Sequence, residues 1–257
     1  MASPSPVLRV RGAVVPIVAL AALEAVLRAS AVRSDSIARP GEVLHALAAG
    51  LADASVLVAT GQTLACALAG LLIGAGAGLL LGALLGLSRF AAGLAWAPVE
   101  SLRHLPPVAL LPIAMLVFGQ GLRMEIALVG FTCFWPVLLL TQAAVGGVEP
   151  RLLDVARTLH MGRMRTILRI VLPASAARVA VALRLATGIA LIVAVTTEIA
   201  ANPLGIGYAM VRSQAELQPA SMYAHLLWLA LLGWALNAAM ARMERHIAAR
   251  LGTEVTR

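Results

Sequence analysis

Long apolar runs separated by short polar connections set the pattern of this chain, and six of them are long enough to be read as helices crossing a bilayer. The first, residues 13–32, follows a polar stretch with Arg9 and Arg11. It exceeds the apolar core of a secretory signal and no cleavage pattern follows it, so an uncleaved first helix is expected. Glu24 and Arg28, four residues apart, are expected to pair locally and soften its insertion cost. Residues 33–58 mix Asp35, Arg39, Glu42, His45 and Asp53 with Val43, Leu44, Leu47 and Leu51, which predicts an external segment holding one short amphipathic helix. The second span, 61–87, carries Gly70, Gly74, Gly78, Gly82 and Gly86, a ladder that lets another helix backbone approach closely.

Residues 88–97 read as a short internal turn, and Pro98 opens a third span that runs to Phe118. Pro106, Pro107 and Pro112 predict a kinked helix, either for packing or beside a water-filled path. After a turn at 119–123 comes the fourth span, 124–145, where Phe131, Phe134 and Trp135 cluster as packing or as path lining. The fifth, 174–200, has Arg178 and Arg184 towards one end and a polar stripe of Thr187, Thr196, Thr197 and Glu198. Glu198 is either a functional group at membrane depth or a charge at the helix end. Asn202-Pro203-Leu204-Gly205-Ile206-Gly207-Tyr208 reads as a turn cluster, followed by a loop with Arg212 and Glu216. The sixth span, 222–240, is flanked by a basic tail with Arg242, Arg245, His246 and Arg250.

One polar island interrupts this pattern. From Glu149, Pro150 stands at a first-turn position and Leu152, Leu153, Ala156 and Leu159 recur on one face, opposite Arg151, Asp154 and Arg157. Beyond Gly162, Met164, Ile167, Leu168 and Val171 alternate with Arg163, Arg165 and Arg169 until Pro173, expected to close the pattern. Two short amphipathic helices joined at a bend are predicted.

Composition places the chain in the bilayer: 61% of residues are hydrophobic and 12% charged, with a mean hydropathy of +0.92, far from the soluble average. The net charge of +8 comes wholly from arginine. The arginines sit in short loops and at helix ends, as membrane topology demands, so no nucleic-acid partner is expected. Twelve of them (Arg9, Arg11, Arg89, Arg151, Arg157, Arg163, Arg165, Arg169, Arg242, Arg245, Arg250, Arg257) fall on the side of the polar island and both termini, against Arg33, Arg39, Arg123 and Arg212 on the other. That asymmetry places both termini and the island in the cytoplasm. Cys66 and Cys133 lie within apolar runs and read as packed thiols. His45, His104, His160, His225 and His246 form no metal-ligand spacing, so no metal is expected. No phosphate loop, Gly-x-Ser-x-Gly elbow or His-Glu-x-x-His occurs, so no catalytic residue, cofactor or enzyme activity is expected.

Asp154-Val155-Ala156-Arg157-Thr158-Leu159 and Ile170-Val171-Leu172-Pro173 resemble the EAA loop of the membrane subunits of binding-protein-dependent ABC importers. Asp154 falls where the family has Glu, Val155 and Ala156 where it has two alanines, and His160 where it usually has Gly; Gly162 is expected to carry the bend instead. Pro106-Pro107, Pro112 and Phe118-Gly119 resemble the same family, more narrowly its nitrate, taurine and aliphatic-sulfonate branch, and the Gly205-x-Gly207-Tyr208 pattern resembles the family as a whole. The resemblance implies an all-α membrane protein of six spans with a cytoplasmic coupling loop, in which Asp154, Val155, Ala156, Arg157, Leu159, His160, Gly162, Arg163, Leu172 and Pro173 meet a separate ATPase subunit. It implies three units: residues 1–59 with the first helix and external segment, 60–250 as the transmembrane domain, and 251–257 as a cytoplasmic tail. Its further implied partners are an extracytoplasmic substrate-binding protein and a second copy of the chain. Arg103, Pro107, Phe131, Trp135, Arg184, Thr197 and Glu198 are the candidates for the path of a small anion. The rival expectation is a nucleotide-independent secondary transporter or channel, in which Glu24, Glu198 and the in-span Arg178 and Arg184 carry a coupled ion.

Overall fold

Small residues repeated every fourth position decide how the helices meet. The computed structural model describes residues 18–19, 21–22, 24–29 and 37–251. In chain order these form α1 (Pro40–Ala52), α2 (Ser55–Leu87), α3 (Arg89–Leu102), a 3₁₀ turn at Pro107–Leu110, α4 (Leu111–Phe118) and α5 (Leu122–Gly146). There follow α6 (Pro150–Thr158), α7 (Arg163–Thr166), a π-helical turn at Ile167–Val171, α8 (Leu172–Ala200), α9 (Gly205–Ala215) and α10 (Pro219–Leu251).

The seam between α2 and α5 is the centre of the molecule, and the glycine ladder builds it. A β-carbon at Gly74 would overlap the Gly130 carbonyl, and one at Gly78 would lie 2.8 Å from the Phe134 carbonyl. Backbone therefore rests on backbone, an approach open only to residues without side chains. A second ladder, on α8, was not singled out in the sequence: Ala182, Ala186, Ala190 and Ala194 are all buried. The last three join Met124, Val129, Cys133 and Val137 in the main core, and the Cys133 thiol reaches the Ala186 carbonyl at 3.5 Å. Cys66 and Cys133 are both buried and free, as expected of packed thiols.

The third predicted span differs from expectation in two ways. Residues 88–97 are not a turn, because Ser88 caps α3 by accepting the Ala91 N–H at 3.3 Å and the helix then runs to Leu102 with Pro98 inside it. Nor is the rest a single kinked helix. Pro106 lies in extended conformation before Pro107, neither residue supplies an N–H, and the chain turns by 80° between α3 and the helical stretch Pro107–Phe118.

Among the described residues four helical stretches are long and apolar enough to cross a membrane, Ser55–Leu87, Leu122–Gly146, Arg163–Ala215 and Pro219–Ile247, or five if the bent pair is one span. Half of the first predicted span, 13–32, lies outside the described residues; within the described part Arg28 Nε reaches Glu24 Oε1 at 2.6 Å and Gly41 N–H donates to the same carboxylate at 3.0 Å. Tail residues 252–257 also lie outside. Helix α2 begins at Ser55 rather than residue 61, because Ala54 breaks the chain in the left-handed region and Asp53 accepts the Ser55 N–H at 2.9 Å. Part of the expected loop after Asn202 is the helix α9, and the sixth predicted span does not end at residue 240 but continues unbroken through the basic segment.

Candidate functional site

Three places gather the residues that the sequence singled out. The first is a buried polar knot at one end of the α2–α5 seam. The start of α9 presents three backbone donors that no helical turn can satisfy. Gln62 Oε1 accepts from Gly205 N–H at 3.0 Å, Thr63 Oγ1 from Ile206 N–H at 3.0 Å, and Glu198 Oε2 from Gly207 N–H at 2.7 Å. Glu198 is 2% exposed, so it is a buried carboxyl group at a helix N-terminus, where it accepts from the first turn, rather than a charge at the membrane surface. The Gly-x-Gly pattern follows from this cradle: Gly205 has φ +89°, and a β-carbon there would overlap the Glu198 carboxylate.

A second carboxylate in the knot escaped sequence reading. Glu125 is wholly buried and accepts from the Asn202 side-chain amide, while Glu125 Oε1 and Asn202 Oδ1 have no hydrogen-bond partner in the protein. Among the described residues no arginine pairs with Glu125 or Glu198. The available signal was an acid inside the predicted fourth span, 124–145, with no basic residue four positions away.

The second place is the polar island. Glu149 stands at the N-cap position of α6, with no side-chain capping bond, and Pro150 in its first turn, as the pattern predicts. The helix closes with His160 N–H donating to Arg157 O at 3.0 Å and Met161 N–H to Ala156 O at 2.9 Å. That paired closure requires a left-handed residue, and His160 supplies it with φ +51°. Gly162 does not carry the bend: its φ of −63° and ψ of 154° suit any residue. Pro173 does not end the second helix either, because the widened π turn at Ile167–Val171 shifts the bonding register before it and the chain continues into α8.

The expected apolar face of α6 also divides. Ala156 turns inward, while Leu152, Val155 and Leu159 are exposed in a row at helical spacing, and Met164 and Leu168 extend the apolar surface past the bend. Asp154 pairs with Arg157 at 2.8 Å on the open surface, and Arg163 is exposed beside them. Val145, Val148 and Val171 form a small core with Leu153 that anchors the segment. Leu172 is exposed and Pro173 half-buried.

The third place is a groove of about 620 Å³ walled by α2, the end of α4 and α5. Here Phe131 and Phe134 stand edge-on to Trp135, with ring centroids 5.5 and 4.8 Å away. Gly74, Phe118 and Arg123 line the same groove. The other path candidates lie elsewhere. Arg103 holds Glu100 through two bonds of 2.9 and 2.7 Å. Arg184 bonds Asn237 at 3.0 Å and Glu244 at 3.1 Å, joining α8 to α10. Thr197 is buried with its hydroxyl on the Val193 carbonyl, and Pro107 is half-buried at the break after α3.

Known proteins resemble this chain along most of its length. The putative aliphatic sulfonates transport permease protein of Bacillus subtilis is 28% identical over 69% of this chain and 64% of its own. The nitrate import permease protein of Synechococcus elongatus is 31% identical over 59% of this chain and 51% of its own, and the bicarbonate transport system permease protein of the same organism 26% over 64% and 59%. The chain thus matches between about half and two thirds of the length of these relatives. A chain of the inward-facing MetNI methionine ABC transporter superposes with a TM-score of 0.65 at 18% identity, covering 75% of this chain and 95% of that one, which establishes a shared fold. The family model of the binding-protein-dependent transport system inner membrane component matches residues 43–253, and the protein belongs to that family, as a membrane transport component and not an enzyme.

Proposed function

We propose that the chain is the permease subunit of an ABC importer, in which two copies enclose the path of a small anion, an organic sulfonate, taurine or nitrate-like solute. Residues 60–250 are the transmembrane unit; with the helix at 13–32 the chain makes six spans and keeps both termini in the cytoplasm. An extracytoplasmic substrate-binding protein delivers the solute, and separate cytoplasmic ATPase subunits hydrolyse ATP. The relatives named for sulfonate and nitrate support the solute class, and the arginine asymmetry supports the orientation.

The observation that carries this reading is the surface of α6 and α7. A soluble loop does not hold Leu152, Val155, Leu159, Met164 and Leu168 exposed among arginines without a partner to cover them. Closure of the ATPase pair on nucleotide pulls this surface, and the anchored spans rock between inward-open and outward-open states; only contacts that differ between nucleotide states drive the change. The secondary-transporter reading leaves that surface without a purpose. The test is a mild-detergent pull-down of the tagged chain from its native membranes. An ATPase subunit is expected to co-purify with the wild type and to be lost in Asp154→Lys, with membrane insertion unchanged. Retained association in that variant would overturn the assignment of the coupling surface.

A further inference from the structure

The groove between α2, α4 and α5 has a chemical bias that its apolar walls do not by themselves explain. Its only polar side chains are Arg123 and Trp135; the rest of its lining is aliphatic, aromatic or glycine. Both donate hydrogen bonds and neither accepts. Arg123 is exposed and engaged in no hydrogen bond or ion pair among the described residues, unlike Arg103 and Arg184, each held by a carboxylate. The acid nearest in sequence does not neutralise it: Glu125 lies two positions on, about 200° around the helix, and is buried in the knot with Asn202. At the other end of the wall, the Trp135 indole is 9% exposed and its Nε1–H is buried without an acceptor in the protein, so Arg123 is the donor that the groove itself exposes. The twelve positions between them correspond to roughly 18 Å along α5, a length of apolar surface with Phe131 and Phe134 on it.

Resting on the permease reading above, we propose that this groove is the solute-binding segment of the path. Arg123 receives the anionic head, and the aromatic wall holds an apolar body. The ligand class is therefore an oxyanion carrying a short hydrocarbon chain, an alkanesulfonate rather than a bare inorganic ion. A strongly hydrated ion gains nothing from the apolar wall, whereas each methylene buried against it strengthens binding about fourfold.

Calorimetric titration of the full chain in lipid nanodiscs tests this with 1-butanesulfonate, nitrate and n-butylammonium as probes. Saturable binding of butanesulfonate is expected, at least about tenfold tighter than nitrate, with no binding of butylammonium. Arg123→Gln is expected to weaken butanesulfonate binding about tenfold or more, Arg123→Lys to recover part of it, and Arg212→Gln, at an exposed arginine paired with Glu216, to leave it unchanged. Unchanged binding in Arg123→Gln, equal affinity for nitrate, or binding of butylammonium would each overturn the proposal. So would native mass spectrometry that finds a phospholipid lost in Arg123→Gln with no sulfonate binding to the wild type, since the groove then belongs to lipid. An ATPase pull-down on the same variants separates the two readings. Failure there with sulfonate binding intact sinks the importer assignment alone, and loss of binding with the pull-down intact is the signature of the groove acting as proposed.

Discussion

At φ +51°, His160 occupies a region where a β-carbon costs about 1–2 kcal/mol, although histidine is among the residues found there more often than most. The closure of α6 imposes that conformation, because both of its hydrogen bonds need the chain to reverse at this residue. Replacing His160 by Gly removes the strain and adds backbone entropy to the unfolded chain, two effects of opposite sign. The first exceeds the second here, so His160→Gly is expected to stabilise the segment by about 0.5–1 kcal/mol, and His160→Val to destabilise it by at least about 1 kcal/mol. Hydrogen exchange at the amides of His160 and Met161 reports the change directly. Faster exchange in the Gly variant would show that the imidazole makes a contact worth more than the strain. The residue identity was legible in the sequence as a departure from glycine. Its consequence was not, since the choice between His160 and Gly162 as the turning residue depends on where α6 ends.

At the scale of elements, the two glycines Gly74 and Gly76 separate the roles that one residue type plays on one helix. Gly74 faces the Gly130 backbone, and any β-carbon there forces α2 and α5 apart; Gly76, two positions on, has nothing within 4 Å of its would-be β-carbon. Gly74→Ala is therefore expected to lower stability by about 1–3 kcal/mol through overpacking, while Gly76→Ala is neutral or stabilising by up to about 1 kcal/mol because alanine favours the helix. Thermal unfolding of the two variants in the same detergent checks the contrast, and equal losses would mean that the ladder does not set the helix spacing. This ladder was readable because its period is local. The start of α9 was not, because its donors are satisfied by Gln62 and Thr63, 143 positions away in the chain for each bonded pair, and the sequence around it displays only turn residues. Helix α3 escaped because its capping serine, Ser88, reads as part of a turn.

Across the whole molecule, α2, α5 and α8 form a body tied at both ends, by the polar knot at one and by the Val145, Val148 and Val171 core at the other. Helix α10 is attached differently. Its membrane-crossing stretch is little buried; Ala224, Leu227 and Trp228 pack with Leu47 and Val56 near its start, and polar clamps add to this: Trp228 Nε1 donates to Thr60 Oγ1 at 2.8 Å, and Arg184 of α8 spans to Asn237 and Glu244. Beyond that apolar patch little packing fixes its rotation about the helix axis, so the clamps to α8 are expected to set the register of α10. The Arg184–Glu244 pair is partly exposed on the arginine side, which limits its contribution to about 1 kcal/mol after solvent screening. Its effect on geometry is larger than that figure suggests, because no other ion pair joins α10 to α8 among the described residues. Cysteines introduced at Arg184-independent positions facing each other across α8 and α10, such as Leu191 and Gly233, whose β-carbon would meet the Leu191 side chain at 3.5 Å, report that register by crosslinking. In this background Arg184→Glu or Glu244→Arg alone is expected to reduce crosslinking severalfold, and the double exchange to restore it, since the charges again attract with their positions reversed. Equal crosslinking in the single variants would place the register of α10 in its packing against the body, with the ion pair a consequence of that register and not its cause.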